Sequence, residues 1–291
     1  MSYRSLIYCL LLFASLSVSA QRKRAFMVGV SNYDTALTSY QWNNINGVAD
    51  IQLLKPILEK QGFQISAIID DAATYLQITK QLEQFIRGSK KGDIVYLHFS
   101  THGQPVEDFD GDEEDGWDEA VIPIDAYKLY RRGVYQGERH LLDDQLNKYL
   151  QQLRSKIGKN GMVYVVIDAC HAGTASRGND DVVRGTHVGF SPNGKVFKPI
   201  KDKRSHFKVE HNAKWSDVVF LEACRADQLN TEIRVESIRY GALSYHLAKT
   251  MQEEPLSTQP QSFIERLKQM IRQQGRWPNN QNIVIETSLQ Q

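Results

Sequence analysis

Cysteine, net charge and long apolar runs are all scarce in this sequence, and each shortage closes off a class of function. The 291 residues carry a net charge of +1 with 24% charged side chains, so no global field marks nucleic acid as a partner. The only cysteines are Cys9, Cys170 and Cys224. No Cys-x-x-Cys spacing supplies the three or four ligands of a zinc site, and zinc is not expected. No internal repeat or coiled-coil heptad is present. The one long apolar run, from Leu6 to Val18, has about 13 residues and is too short to span a bilayer. Arg4 before it and Val18-Ser-Ala20 after it read as a secretory signal peptide over 1–20, cleaved after Ala20. Bulky Tyr8 before Cys9 argues against a lipoprotein site. The expectation is an exported protein, periplasmic or extracellular, without stable membrane insertion, whose mature part is 21–291. A Cys170–Cys224 disulfide is the bland use of the two remaining cysteines.

Six short apolar runs read as strands: 25–30, 65–69, 94–99, 162–167, 217–221 and 282–285. Runs of this kind suit strands buried on both faces. Helical patterns fall between them at 48–61, 74–87, 143–156, 240–251 and 262–274, four of them ending one or two residues before a glycine at 62, 88, 158 or 275. Pro56 has to be accommodated near the middle of the first. The alternation predicts an α/β three-layer sandwich, a mostly parallel sheet of about six strands with helices on both faces. Two irregular stretches interrupt it: 104–142, acidic at first, and 174–214, polar and basic. Loops this long in a compact domain are usually functional or mobile.

Chemistry concentrates where two of the strands end. Residues 94–99 run into Ser100-Thr-His102-Gly103, and 162–167 into Asp168-Ala-Cys170-His171-Ala-Gly173. Open α/β sheets put their binding crevices at such carboxyl ends, and a cysteine with a histidine suffices for a thiol nucleophile and its acid–base partner. Asp168 lies two residues before Cys170, on the same face of the strand. The small residues after Cys170 suit a turn of converging N–H groups, and the N–H groups of Gly103 and Cys170 are the expected oxyanion donors. His98 lies deeper and reads as a core residue, His171 points away from its neighbour, and His140 has no companion motif.

These motifs resemble those of metacaspases and related caspase-like cysteine peptidases, over nearly the whole mature chain. The resemblance rests on Ser100–Gly103, Asp168–Gly173, the acidic segment Asp110–Glu119 with Ile122-Pro-Ile-Asp125, Leu142-Asp143-Asp144-Gln-Leu146, and Ala223-Cys224-Arg-Ala-Asp227-Gln228. It implies a caspase-like fold, a Cys170–His102 dyad, and protein or peptide substrates cut after Arg or Lys. Asp50 and Asp168, with Ser100 and, more weakly, Asp227, would line the pocket for that cation, since paired carboxylates attract guanidinium or ammonium groups. The different-class alternative is an inactive caspase-like module that binds calcium or a partner.

The segment 108–119 superficially resembles a calcium loop, but Glu113 stands where an EF-hand wants glycine. Calcium-dependent metacaspases use scattered aspartates, matched here by Asp118, Asp143 and Asp144. The fourth acid of that set is replaced around Arg177, with Asp180 or Asp181 as the available substitute. A solvated acidic loop, with Asp143 capping a helix, is the plain reading of the same residues. Family members also cut themselves after basic residues in the loop beyond the nucleophile, and Arg184 to Lys214 offers several such bonds.

Overall fold

A computed structural model describes residues 21–33, 42–111, 113, 115–170, 181–199 and 209–289. The residues of the expected signal peptide, and His171, Gly173, Arg177 and Asp180, lie outside it. In chain order the elements are β1 (Lys23–Gly29), α1 (Gly47–Lys60), β2 (Phe63–Ile69), α2 (Tyr75–Gly88), β3 (Ile94–Ser100), β4 (His102–Glu107), β5 (Trp117–Ile122) and β6 (Leu141–Leu142). Next come α3 (Asp143–Ile157), β7 (Met162–Asp168), β8 (Asp217–Glu222), β9 (Glu232–Val235), β10 (Ile238–Gly241), α4 (Ala242–Glu253), α5 (Gln261–Gln274) and β11 (Val284–Thr287).

The apolar runs become strands because both of their faces are covered. Along β1, Phe26 and Val28 pack with Leu82 and Phe85 of α2 and Leu150 and Leu153 of α3. Ala25 and Met27 turn to the other side, toward Leu54 of α1, Leu247 of α4 and Phe263 of α5. In β3 and β7 every residue is buried. The result is a three-layer sandwich around a six-stranded sheet of order β11-β8-β7-β3-β1-β2, parallel except for β11. Pro56 is tolerated inside α1 because it lies on the exposed face, where water can satisfy the carbonyl that loses its partner. No helix among the described residues is long and apolar enough to cross a membrane.

Residues 104–142 are not the irregular loop their composition suggests. They complete a second, antiparallel sheet of order β4-β5-β6. Acids inside a strand hid it: Asp118 and Glu119 are buried between Trp117 and Ala120 in β5. The hairpin β9–β10 was hidden for a similar reason, being short and polar at its start. Part of the basic stretch is ordered too. Residues 182–190 cross the carboxyl edge of the large sheet, making isolated bridges from Val183 to Thr231, from Gly185 to both Cys170 and Gly103, and from Phe190 to Val106.

Leu150, buried between α3 and the sheet, tests the packing of that layer. Leu150→Ala is expected to lower the unfolding free energy by about 2–5 kcal/mol, measured by urea denaturation of purified protein.

Candidate active site

Parallel pairing of β3 with β7 sets Ser100 opposite Asp168, and pairing of β1 with β3 sets Gly29 opposite Ser100. With no side chain at Gly29 and Gly47, the start of α1 approaches these strand ends closely; a Cβ on Gly47 would stand 2.3 Å from the Ser100 carbonyl oxygen. This delivers Asp50, in the first turn of α1, beside Ser100, whose hydroxyl donates to it at 2.6 Å. Asp50 also accepts the Gly241 N–H at 3.0 Å. Asp168 accepts from the Asn230 amide at 2.7 Å, and from the Ser244 N–H and hydroxyl at 2.8 and 2.6 Å. Asp50, Ser100 and Asp168 are completely buried.

The cation in this pocket belongs to the chain itself. Arg184, fully buried, donates from Nη1 to Asp50 and to the Ser100 hydroxyl, each at 2.6 Å, with Asp168 at 3.5 Å. Its Nε donates to Glu232 Oε1 at 3.0 Å. Nη2 is 2.9 Å from that same oxygen, an ion-pair contact whose angle leaves it without a hydrogen-bond acceptor among the described residues. Burial pushes the Asp50 carboxyl up to about 6 against the pull of Arg184, with Asp168 and Glu232 pushing the same way. For Asp168, burial also pushes upward, but Arg184, Asn230 and Ser244 together hold it below the ordinary carboxylate value.

The backbone of the same residue lies across Cys170. The Arg184 carbonyl oxygen accepts the Cys170 N–H at 2.9 Å and the Gly103 N–H at 3.2 Å. Upstream, the Arg184 N–H donates to the Asn230 carbonyl at 3.0 Å and the Val182 carbonyl accepts the Glu232 N–H at 2.9 Å. Downstream, Phe190 exchanges bonds with Pro105 and Glu107 along β4. Gly185 touches Cys170 so closely that a Cβ there would stand 2.0 Å from the Cys170 carbonyl oxygen. Residues 182–190 therefore lie across the cleft, bending at Arg184 and His187 and bridged to neighbouring strands on both sides of the Arg184–Gly185 bond.

Cys170 and Cys224 are both buried and neither is in a disulfide. The Cys170 thiol donates to the Gln228 carbonyl at 2.8 Å. The Cys224 thiol pKa is well above the ordinary value through its contact with Cys170 and through burial, which suits a packing role. His102 sits in an aromatic box, with its ring centroid 4.8 Å from both Trp42 and Tyr33. Its N–H donates to the Tyr33 hydroxyl at 3.1 Å. Its Nε2 lies 2.8 Å from the Asn43 carbonyl oxygen, so Nε2 carries the proton and Nδ1 the lone pair. Nδ1 is buried and has no hydrogen-bond partner among the described residues. Burial lowers the His102 pKa to about 3, leaving a neutral ring. Such a ring can accept a proton from a thiol.

The two histidines that compete with it among the described residues are occupied. His98 bonds Tyr96 and Ser244, and His140 bonds Tyr135 and Gln104. Asp227, in the turn after β8, makes no hydrogen bond or ion pair among the described residues; Glu232, unnoticed in the sequence, is the third acid on the guanidinium. Tyr33, Trp42, Asn43, Asn230 and Ser244 were also missed, and only the polar Ser31-Asn-Tyr33 after the first strand hinted at any of them. Asp118 and Asp143 lie together away from the pocket. Burial and neighbouring acids raise Asp118 to about 7 and push Asp143 upward as well. Asp144 is paired with Lys148 at 3.6 Å. Among the described residues no three His, Cys, Asp or Glu side chains are arranged to hold a metal ion.

Comparison with known proteins bears on this arrangement. The family model described as "Caspase domain" matches residues 22–289. Metacaspase-1 of Meyerozyma guilliermondii is 23% identical over 88% of this chain and 67% of its own length. Metacaspase-3 of Arabidopsis thaliana is 31% identical over 53% of this chain and 40% of its own, and Metacaspase-1B of Aspergillus fumigatus 29% over 55% and 37%. The chain thus spans from about a third to two thirds of these relatives' length. A solved structure of a Geobacter sulfurreducens protein has a TM-score of 0.61 at 19% identity, covering 93% of this chain and 94% of that one, a likeness of fold.

Three buried carboxylates depend on one cation, and this can be measured without turnover. In Cys170→Ala protein, adding Arg184→Ala is expected to lower the unfolding free energy at pH 7.5 by about 3–5 kcal/mol. Asp50, raised by burial to about 6 even with the cation present, rises further without it and above its unfolded value, so the deficit shrinks as pH falls from 7.5 toward 5. Urea titrations at the two pH values check both statements.

Proposed function

The chain belongs to the caspase-domain family of cysteine-type peptidases and has its α/β sandwich, and from this we propose that it is an endopeptidase that cuts after Arg or Lys and first cuts itself, at Arg184–Gly185. One observation carries the reading: a single residue has its guanidinium among buried acids and its carbonyl oxygen on two N–H groups, directly against Cys170. A peptide substrate needs the same three contacts.

In the proposed reaction the thiol turns from the Gln228 carbonyl toward the Arg184 carbonyl carbon, and His102 Nδ1 takes its proton. Sulfur bonds to carbon, and the oxygen gains charge facing the Cys170 and Gly103 N–H groups, where fixed donors act most strongly. The bond to the Gly185 nitrogen breaks as His102 returns the proton to it. Water, deprotonated by the same ring, then splits the acyl-thioester and restores the thiol. Substrates in trans would take the path of residues 182–190, with Asp50, Ser100 and Asp168 receiving the basic side chain.

Calcium activation and export belong to the same proposal. Asp118 and Asp143, whose ionisation burial and mutual repulsion oppose, offer hard oxygen donors that a divalent cation would relieve; with Asp144 they are the residues that would hold it, and its charge would favour their ionised forms. Export is carried by the signal-like run before Ala20.

Mass spectrometry of purified protein is expected to find a new amino terminus at Gly185 in the wild type and none in Cys170→Ala. A first cut elsewhere in the basic stretch would overturn the assignment of the bond. Hydrolysis of a fluorogenic Arg peptide is expected to weaken, through KM, as pH falls, starting above 6: Asp50, pushed up to about 6 with Arg184 beside it, rises further once that cation leaves, and it must be ionised to hold the substrate's. Asp118→Asn should remove any stimulation by calcium over chelator while leaving the Gly185 terminus detectable.

A further inference from the structure

Resting on that reading, we propose that Glu232 makes the pocket selective for arginine over lysine, by accepting from Nε, a donor that lysine replaces with a methylene. The acids divide the side chain between them. Asp50 and Ser100 meet its far end, at Nη1. Glu232 approaches from the side and accepts from Nε. In lysine the position of Nε is a methylene, and the ammonium falls where Cζ of arginine lies. Lysine can therefore approach the end of the pocket, but it puts a CH2 group against the Glu232 oxygen.

Glu232 cannot move away to relieve this. It is 4% exposed. Asn46 grips both of its oxygens, its backbone N–H on Oε1 at 2.6 Å and its side-chain amide on Oε2 at 2.5 Å. Asn46 stands at the cap position of α1 yet makes no side-chain capping bond to the helix; its amide serves the pocket instead. The Glu232 backbone is fixed too, since its N–H holds the Val182 carbonyl. A rigid, buried carboxylate that loses a charged donor keeps its desolvation cost without the compensating bond. Discrimination of this kind is strong when the site was built around the missing donor. The pocket floor adds to it: a Cβ on Gly241 would stand 2.6 Å from Arg184 Nη1, so the pocket is cut to the length of an arginine.

The test compares kcat/KM for two fluorogenic peptides differing only in Arg or Lys before the scissile bond. Wild type should prefer Arg by on the order of 10- to 100-fold, the penalty of one unmet buried charged group. In Glu232→Gln the Arg:Lys ratio should fall about tenfold or more, whatever happens to the absolute rates. A wild-type ratio near unity, or a ratio unchanged in Glu232→Gln, would overturn the assignment. Cleavage of neither peptide by wild type would instead overturn the peptidase reading itself. Because Glu232→Gln can also impair maturation, the self-cut gives a second readout. Arg184→Lys should slow appearance of the Gly185 terminus strongly when Glu232 is present and little further in Glu232→Gln. Equal slowing in both backgrounds would show that Glu232 supports the fold rather than choosing the residue.

Discussion

A guanidinium removed from all solvent and balanced by three carboxylates is the constraint on which the rest of the site depends. Burial alone would lower the Arg184 pKa; Asp50, Glu232 and Asp168 hold it above the usual arginine value. The four groups come from distant parts of the chain: the first turn of α1, the end of β7, the first residue of β9, and a stretch that crosses the cleft. Each isolated charge in such a place would carry a desolvation penalty of several kcal/mol, so the elements that bear them are tied to one another through the cation. The balance is uneven, with three acids to one base. Asp50 is the acid driven upward, by burial first and by Asp168 and Glu232 after it, against the pull of Arg184.

The nucleophile region shows the complementary device, in which geometry is ready and reactivity is withheld. The Cys170 and Gly103 N–H groups, the expected oxyanion donors, already carry a carbonyl oxygen, while the Cys170 thiol is turned to Gln228 and His102 Nδ1 faces no partner among the described residues. Asn43, Tyr33 and Trp42 fix the imidazole by its other nitrogen, its backbone and its faces. Fixing the ring this way settles which nitrogen bears the proton without using the nitrogen that chemistry requires.

The large sheet was legible because doubly buried strands are nearly uninterrupted apolar runs, and all six were found at close to their observed bounds. β4, β5 and β6 were not, since buried acids in β5 and a proline in β4 imitate a loop. Of the candidate residues that the structure gathers at the cleft, Cys170, His102 and Asp168 stood out because strand ends place polar groups beside apolar runs, whereas Asp50 and Ser100 came from the family resemblance alone. Glu232 could not: it sits in a polar stretch, Asn230-Thr-Glu232, and only pairing with residues 182–184 brings it to the pocket. Asn43 acts through its backbone carbonyl, for which a sequence holds no sign. Arg184 was one basic residue among many, marked locally only by the glycine after it.

Once the proposed cut at Gly185 is made, the fate of the severed strand turns on Phe190. Only 1% exposed, its ring packs among Tyr130, Tyr135 and His140 while its backbone is bonded to β4. A severed strand pinned five residues from its new end keeps the freed amine beside the acyl group, at an effective concentration on the order of millimolar or more. Re-ligation then competes with water at the thioester. On that proposal the pace of self-processing would be set by how fast the strand peels from β4, and a mutation at Phe190 would act on maturation from well outside the proposed catalytic groups.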